Sequence, residues 1–134
     1  MKIYAVIDTN VIVSAMITSN IEAPTVKIVD AALDGRITLM YDEKIVEEYY
    51  DVLSRPLFGI PKGDMHEFLG ALFSNGEYVS AEESGEKFAD EQDAVFYNVA
   101  TTKDGAFLIS GNTRHYPKNE IVITPSEMVE ILEK

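Results

Sequence analysis

Short apolar runs alternate with helical patterns along the whole chain, and this alternation constrains the fold more than any other feature of the sequence. A strand buried on both faces reads as a continuous apolar run, whereas an amphipathic helix repeats its apolar residues every three or four positions. Residues 3–7, Ile-Tyr-Ala-Val-Ile, are the first such run and predict a buried strand. A helical pattern covers 11–16. Pro24 suits the first turn of a second helix, with Val26, Val29, Ala32 and Leu33 on one face and Gly35 at its end. Residues 37–41 predict strand two. Asp42 is placed to cap a helix through Leu53, closed by Arg55-Pro56, and another helix is expected from about 63 to 73, before Asn75-Gly76. Tyr78-Val79 predicts a short third strand, and 81–87 a mobile polar loop. Asp90 is placed to cap a helix from 91 to about 102, stopped at Gly105. Residues 106–110 and 121–123 predict strands four and five, and Thr124-Pro125-Ser126-Glu127 has the spacing of a capping box. Strands separated by helices predict an α/β fold, with a central parallel sheet of about five strands flanked by helices. No repeat, low-complexity segment or linker divides the chain, so residues 1–134 are expected to form one domain.

With 134 residues and 46% apolar content, the chain has enough interior for a core and is not of disordered composition. It has no cysteine, which excludes a disulfide framework and a thiolate zinc site and fits the reducing cytosol. No apolar run approaches the ~20 residues that span a bilayer, and the amino-terminal run is too short for a signal peptide. A cytoplasmic protein that makes no membrane contact is the expectation. The formal net charge of −12 opposes the simplest nucleic-acid reading, because such binders usually show a basic footprint. Acidity and phosphodiester chemistry are compatible where carboxylates gather around dications, since a bound ion inverts the local field.

In open parallel sheets ligands bind beyond the carboxyl ends of the strands, so the acids expected there matter most. Asp8 ends strand one, directly after residues that read as buried. A charge there is costly unless it is paired, hydrogen-bonded or bound to a cation, and Asp8 equally suits an N-cap of the next helix. Glu47 and Glu48 are separated by the helical period. At roughly 100° per residue, Ile45, Tyr49, Val52 and Leu53 define the buried face, Glu48 lies at its edge, and Glu47 points away with Glu43, Asp51 and Ser54. Asp90 and Asp93 open the helix before strand four, where any acid interacts favourably with the helix dipole. Asp93 shares a side with Phe96 and Ala100. Strand four runs into Ser110-Gly111-Asn112 at the same edge, and Asn112 offers a carbonyl ligand, an orienting amide or simply a turn residue. Asp8, Glu48, Asp93 and Asn112 are the candidate catalytic residues. Hard oxygen ligands, without cysteine or histidine at ligand spacing, select Mg²⁺ or Mn²⁺ over Zn²⁺. Two such ions can activate water and stabilise the leaving oxygen of a phosphodiester. His66 reads as a helix-surface residue. Arg114, His115 and Lys118 lie beside the site loop, with Arg55 farther off, as candidate phosphate contacts or a solvated loop of mixed charge.

These residues resemble the motifs of PIN domains. Asp8-Thr9-Asn10-Val11 after a buried first strand resembles the family's opening motif. Glu47-Glu48-Tyr49 through Val52-Leu53-Ser54-Arg55-Pro56 resembles the second acidic segment of a bacterial and archaeal branch, the toxin-like (VapC-type) PIN proteins. Asp90-x-x-Asp93 and Ala106-Phe107-Leu108-Ile109-Ser110-Gly111-Asn112 resemble the third and fourth segments, in the same order across nearly the whole chain. The resemblance implies a three-layer Rossmann-like sheet and metal-dependent ribonuclease activity. Asp8, Glu48 and Asp93 would be metal-binding acids, Asp90 an accessory acid, and Thr9, Asn10 and Ser110 residues that shape the site. It also implies a toxin–antitoxin role, with a cognate antitoxin protein as partner and a homodimer or higher homo-oligomer as the assembly. One departure stands out: many PIN domains carry a fourth aspartate where this chain has Asn112, and the lost charge weakens a second metal position.

A non-catalytic PIN-fold module that binds RNA or a protein is the main alternative, favoured by the charge and by Asn112. Haloacid-dehalogenase-type phosphatases need a second acid two positions after the first, where this chain has Asn10. A receiver domain needs an aspartate after the third strand, and Tyr78-Val79-Ser80 supplies none. A dinucleotide-binding domain needs a glycine-rich turn after strand one, which is absent. The apolar stripe Met65, Phe68, Leu69 and Leu72 is expected to be core or, if exposed, a partner surface.

Overall fold

Every predicted strand and helix is present in the computed structural model, which describes residues 2–81, 85, 88 and 90–134. The loop expected over 81–87 lies outside the described residues, apart from 81 and 85. In chain order the elements are β1 (Ile3–Ile7), α1 (Thr9–Ile17), α2 (Pro24–Asp34), β2 (Ile37–Tyr41), α3 (Glu43–Leu53), α4 (Lys62–Ser74), β3 (Glu77–Tyr78), α5 (Glu91–Ala100), β4 (Phe107–Ile109), β5 (Val122–Ile123) and α6 (Pro125–Leu132). Short 3-10 turns follow α3 at Pro56–Phe58 and β4 at Thr113–His115.

The sheet is parallel throughout, in the order β3-β2-β1-β4-β5. β1 is central, and the order reverses between β1 and β4, the crevice at which such sheets bind ligands. Consecutive residues of the inner strands are buried: Ala5, Val6 and Ile7 in β1, Leu39 and Met40 in β2, Leu108 and Ile109 in β4. Side chains alternate across a strand, so this unbroken burial means that both sheet faces are covered. α2 packs on β2, α1 and α6, whereas α5 lies over β1, β2 and β4 and touches α3.

Local chemistry sets the element ends. Asp42 caps α3 by accepting from the Ile45 amide at 2.9 Å, and the Thr124–Glu127 capping box opens α6. Gly35 closes α2 in the left-handed region, at φ 88°. Several ends differ from expectation. α5 stops at Ala100, capped by Thr101, rather than at 102. β3 begins one residue earlier, at Glu77, although the Val79 amide still bonds to the Tyr41 carbonyl at 2.8 Å. β4 and β5 are shorter than the apolar runs that predicted them, because a ladder ends where its neighbour's partners end. In α2 the fully enclosed residues are Ile28, Val29, Ala31 and Ala32, while Val26 and Leu33 are half-buried, because the helix is wedged between the sheet and three other helices, α1, α4 and α6. Met65, Leu69 and Leu72 are in the core, which removes that stripe as a partner surface.

Candidate active site

Asp8 stands at the reversal point of the sheet. Its backbone amide bonds to the Ile109 carbonyl of β4 at 2.9 Å, so the last bond of the β1–β4 ladder fixes the residue that carries the carboxylate. The side chain is 6% exposed and bears three hydrogen bonds. Oδ2 accepts from the Ser110 hydroxyl at 2.7 Å and from the Tyr116 hydroxyl at 3.0 Å, while among the described residues Oδ1 accepts only a long bond, 3.3 Å, from the Asn10 amide. The Asn10 contact makes Asp8 the N-cap of α1, so both expectations for this residue describe one geometry. Ser110 is fully buried, and its oxygen accepts from the Asn112 amide at 2.9 Å while donating to Asp8. The structure thus ties in Asn112 by its backbone; its side chain caps nothing in the turn that follows.

Glu48 reaches the site from α3. The helical period puts Ile45, Tyr49, Val52 and Leu53 inside, leaves Glu47 exposed and sets Glu48 half-buried at the edge. The Thr9 hydroxyl donates to Glu48 Oε2 at 3.3 Å. Burial raises the Glu48 carboxyl pKa above the usual carboxylate range, and the charges of Asp51 and Asp8 add to this against the Thr9 bond and Arg55. Next to it, the buried Tyr49 hydroxyl donates to the Ile7 carbonyl, stitching α3 to the end of β1 between the two acids.

Asp93 arrives from the first turn of α5. Its carboxyl pKa is also raised, by burial first and then by Asp90 and Asp8, with His115 and Tyr116 opposing. His115 Nδ1 lies 3.8 Å from Asp93 Oδ2. The Tyr116 hydroxyl gives its single proton to Asp8 and lies beside Asp93 as well, so burial and two carboxylates push its pKa far above that of an ordinary phenol. Asp90 accepts from the Gln92 amide at 2.9 Å, which makes it the cap of α5, and its charge still reaches Asp93.

The structure therefore brings together Asp8, Thr9, Asn10, Ser110 and Asn112, with Glu48 and Asp93 both within electrostatic reach of Asp8. Both outer acids feel the charge of Asp8, which is their common neighbour. Among the described residues, no three acid or histidine side chains lie close enough together to hold an ion as placed. Arg114 and Lys118 are exposed beside this edge, whereas Arg55 pairs with Asp51 at 3.4 Å on the outer side of α3. A cleft of about 910 Å³ opens between α3 and α5, walled by Glu47, Glu48, Asp51 and Glu91 with Lys44 as counter-charge; it reaches Glu48 but not Asp8. Two hydroxyls that brace this site were missed in the sequence. Tyr49 reads there only as a core side chain, and the sole signal for Tyr116 is a hydrogen-bonding aromatic just after the site loop. No helix is long and apolar enough to cross a membrane among the described residues.

A family model described as PIN domain matches residues 4–114, from β1 through the turn after β4. No curated protein and no solved structure matches the chain.

Proposed function

This chain belongs to the PIN-domain family, and from that premise we propose that it is an Mg²⁺- or Mn²⁺-dependent endoribonuclease, the toxin of a toxin–antitoxin pair. PIN domains are commonly nucleases that use divalent ions and bind RNA. The observation that carries the reading for this chain is the state of Asp8: a buried carboxylate at the sheet's reversal point, held by two hydroxyls, whose charge reaches both Glu48 and Asp93. Crowded acids raise each other's proton affinity, and a dication relieves that repulsion. The donors are all oxygen, which suits Mg²⁺ or Mn²⁺. The residues thus fit such an ion in charge and donor type.

In this mechanism Asp8, Glu48 and Asp93 hold the ion and Asp90 adds negative charge at the start of α5. A bound dication supplies water activation and charge stabilisation at phosphorus. The chain's own groups position the rest. Ser110 and Tyr116 orient Asp8, Thr9 restrains Glu48, and the Asn112 amide fixes Ser110. Arg114, His115 and Lys118 offer the phosphate contacts, because the acidic cleft between α3 and α5 repels a nucleic-acid backbone. A single domain over residues 1–134, cytoplasmic location, homo-oligomeric assembly and control by a cognate antitoxin complete the proposal.

A second reading, a PIN-fold module that binds RNA or a protein without cleaving it, draws on the separation of the three acids and on Asn112 in place of a fourth acid. Cleavage of a panel of structured and single-stranded RNAs, with Mg²⁺, Mn²⁺ or chelator, separates the two. Metal-dependent cleavage by the wild type that disappears in Asp8→Asn is expected. Equal cleavage by Asp8→Asn would overturn the nuclease reading, and binding without turnover would establish the second.

A further inference from the structure

The two oxygens of Asp8 are not equivalent. Oδ2 accepts from Ser110 at 2.7 Å and from Tyr116 at 3.0 Å. An ionised carboxylate has about two lone-pair sites per oxygen, so two such donors fill Oδ2. Among the described residues Oδ1 has only the 3.3 Å contact from the Asn10 amide, which makes it the oxygen available to bind an ion.

Both donors are fixed in place. Ser110 is fully buried and held from behind by the Asn112 amide. The Tyr116 ring is 6% exposed and packs edge-on against Phe88, with centroids 6.4 Å apart. Tyr116 also lies beyond residues 4–114, so the family match says nothing about this hydroxyl.

Resting on the metal-dependent reading above, we infer that Tyr116 is a positioning residue that, with Ser110, restricts Asp8 to single-oxygen coordination and so makes the site select a small octahedral dication over Ca²⁺. The reason lies in the coordination habits of the two ions. Mg²⁺ demands near-octahedral geometry, whereas Ca²⁺ takes six to eight oxygens in flexible geometry and readily accepts both oxygens of one carboxylate. Filling Oδ2 with hydroxyl donors removes the chelating mode that favours the larger ion. Removing a donor restores it.

The test is calorimetric titration of the metal-free protein with Mg²⁺ and with Ca²⁺, supported by competition against Mn²⁺ followed by its paramagnetic resonance signal. The proteins are wild type, Tyr116→Phe, Ser110→Ala, the double variant and Asp8→Asn, each checked for folding by thermal unfolding. Ser110→Ala frees the same oxygen from a separate element, so the test survives if Tyr116→Phe folds poorly. The ratio of Ca²⁺ to Mg²⁺ affinity is expected to rise about tenfold in each single variant, the size of effect typical when a group supporting a ligand is lost, and further in the double variant. An unchanged ratio in folded variants that still bind metal would overturn this inference and leave the nuclease reading intact. A wild type that binds no dication, or an Asp8→Asn protein that binds as well as wild type, would overturn the metal reading and this inference with it.

Discussion

Replacing Tyr49 by phenylalanine removes one oxygen from the middle of the protein and leaves the packing in place. The ring is fully buried and stacked with Phe73 and Phe96, at centroid distances of 5.8 and 6.4 Å, and these contacts do not involve the hydroxyl. What disappears is the bond to the Ile7 carbonyl. A buried carbonyl that loses its donor costs about 1–3 kcal/mol. Each kcal/mol moves the midpoint of a domain of this size by about 4 °C, so Tyr49→Phe is expected to unfold roughly 4–12 °C below wild type. The site feels the same loss, because the bond joins the residue before Asp8 to the residue after Glu48. Metal-dependent cleavage is therefore expected to fall along with stability, even at temperatures where the variant is fully folded. Scanning calorimetry checks the first effect, and RNA cleavage at 20 °C or so, well below the transition, checks the second. A midpoint within a degree or so of wild type would mean that the Ile7 carbonyl finds another partner, and the reasoning would fail.

Asp93→Asn tests the crowding of acids. The folded protein holds the Asp93 and Glu48 protons more tightly than the unfolded chain, because burial raises both pKa values. Their contribution to metal-free stability is thus fully present below the ordinary carboxylate range and is lost as pH rises through the raised values. With chelator present, Asp93→Asn is expected to flatten this fall and to raise the melting midpoint at neutral pH; a lower midpoint at neutral pH would contradict the reading. Arg114→Ala and Lys118→Ala, placed in the Asp8→Asn background to prevent cleavage, are expected to weaken RNA binding and reduce its salt slope by about one each in anisotropy titrations. Unchanged slopes would remove both residues from the RNA contact.

Most of the site's framework was legible because it depends on short-range periodicity. The choice of Glu48 over Glu47 needs only the helical period and the apolar residues Ile45, Tyr49 and Val52 around it. Asp8 was visible as an acid ending a run too apolar to be exposed. Asp42, Asp90 and Thr124 announced themselves as caps through spacing alone. The hydroxyl bonds were not legible, because their partners are remote in sequence. Tyr116 meets Asp8 across 108 positions and Tyr49 meets Ile7 across 42, and no local pattern encodes either meeting. The ends of β4 and β5 were uncertain for a related reason: a strand ends where its neighbour's pairing ends.

The reversal of strand order also has a consequence in time. β1 is made before both of its neighbours and pairs on one side with β2, which follows within about forty residues, but on the other side with β4, about a hundred residues later. A growing chain therefore carries Asp8 long before the strand that fixes its backbone and the hydroxyls that hold its carboxylate have been synthesised. A fragment that stops before residue 107 has the acids but lacks their alignment. A translation product that stops short of these residues is left without an organised Asp8, and the site is assembled only once β4, Ser110 and Tyr116 have been made.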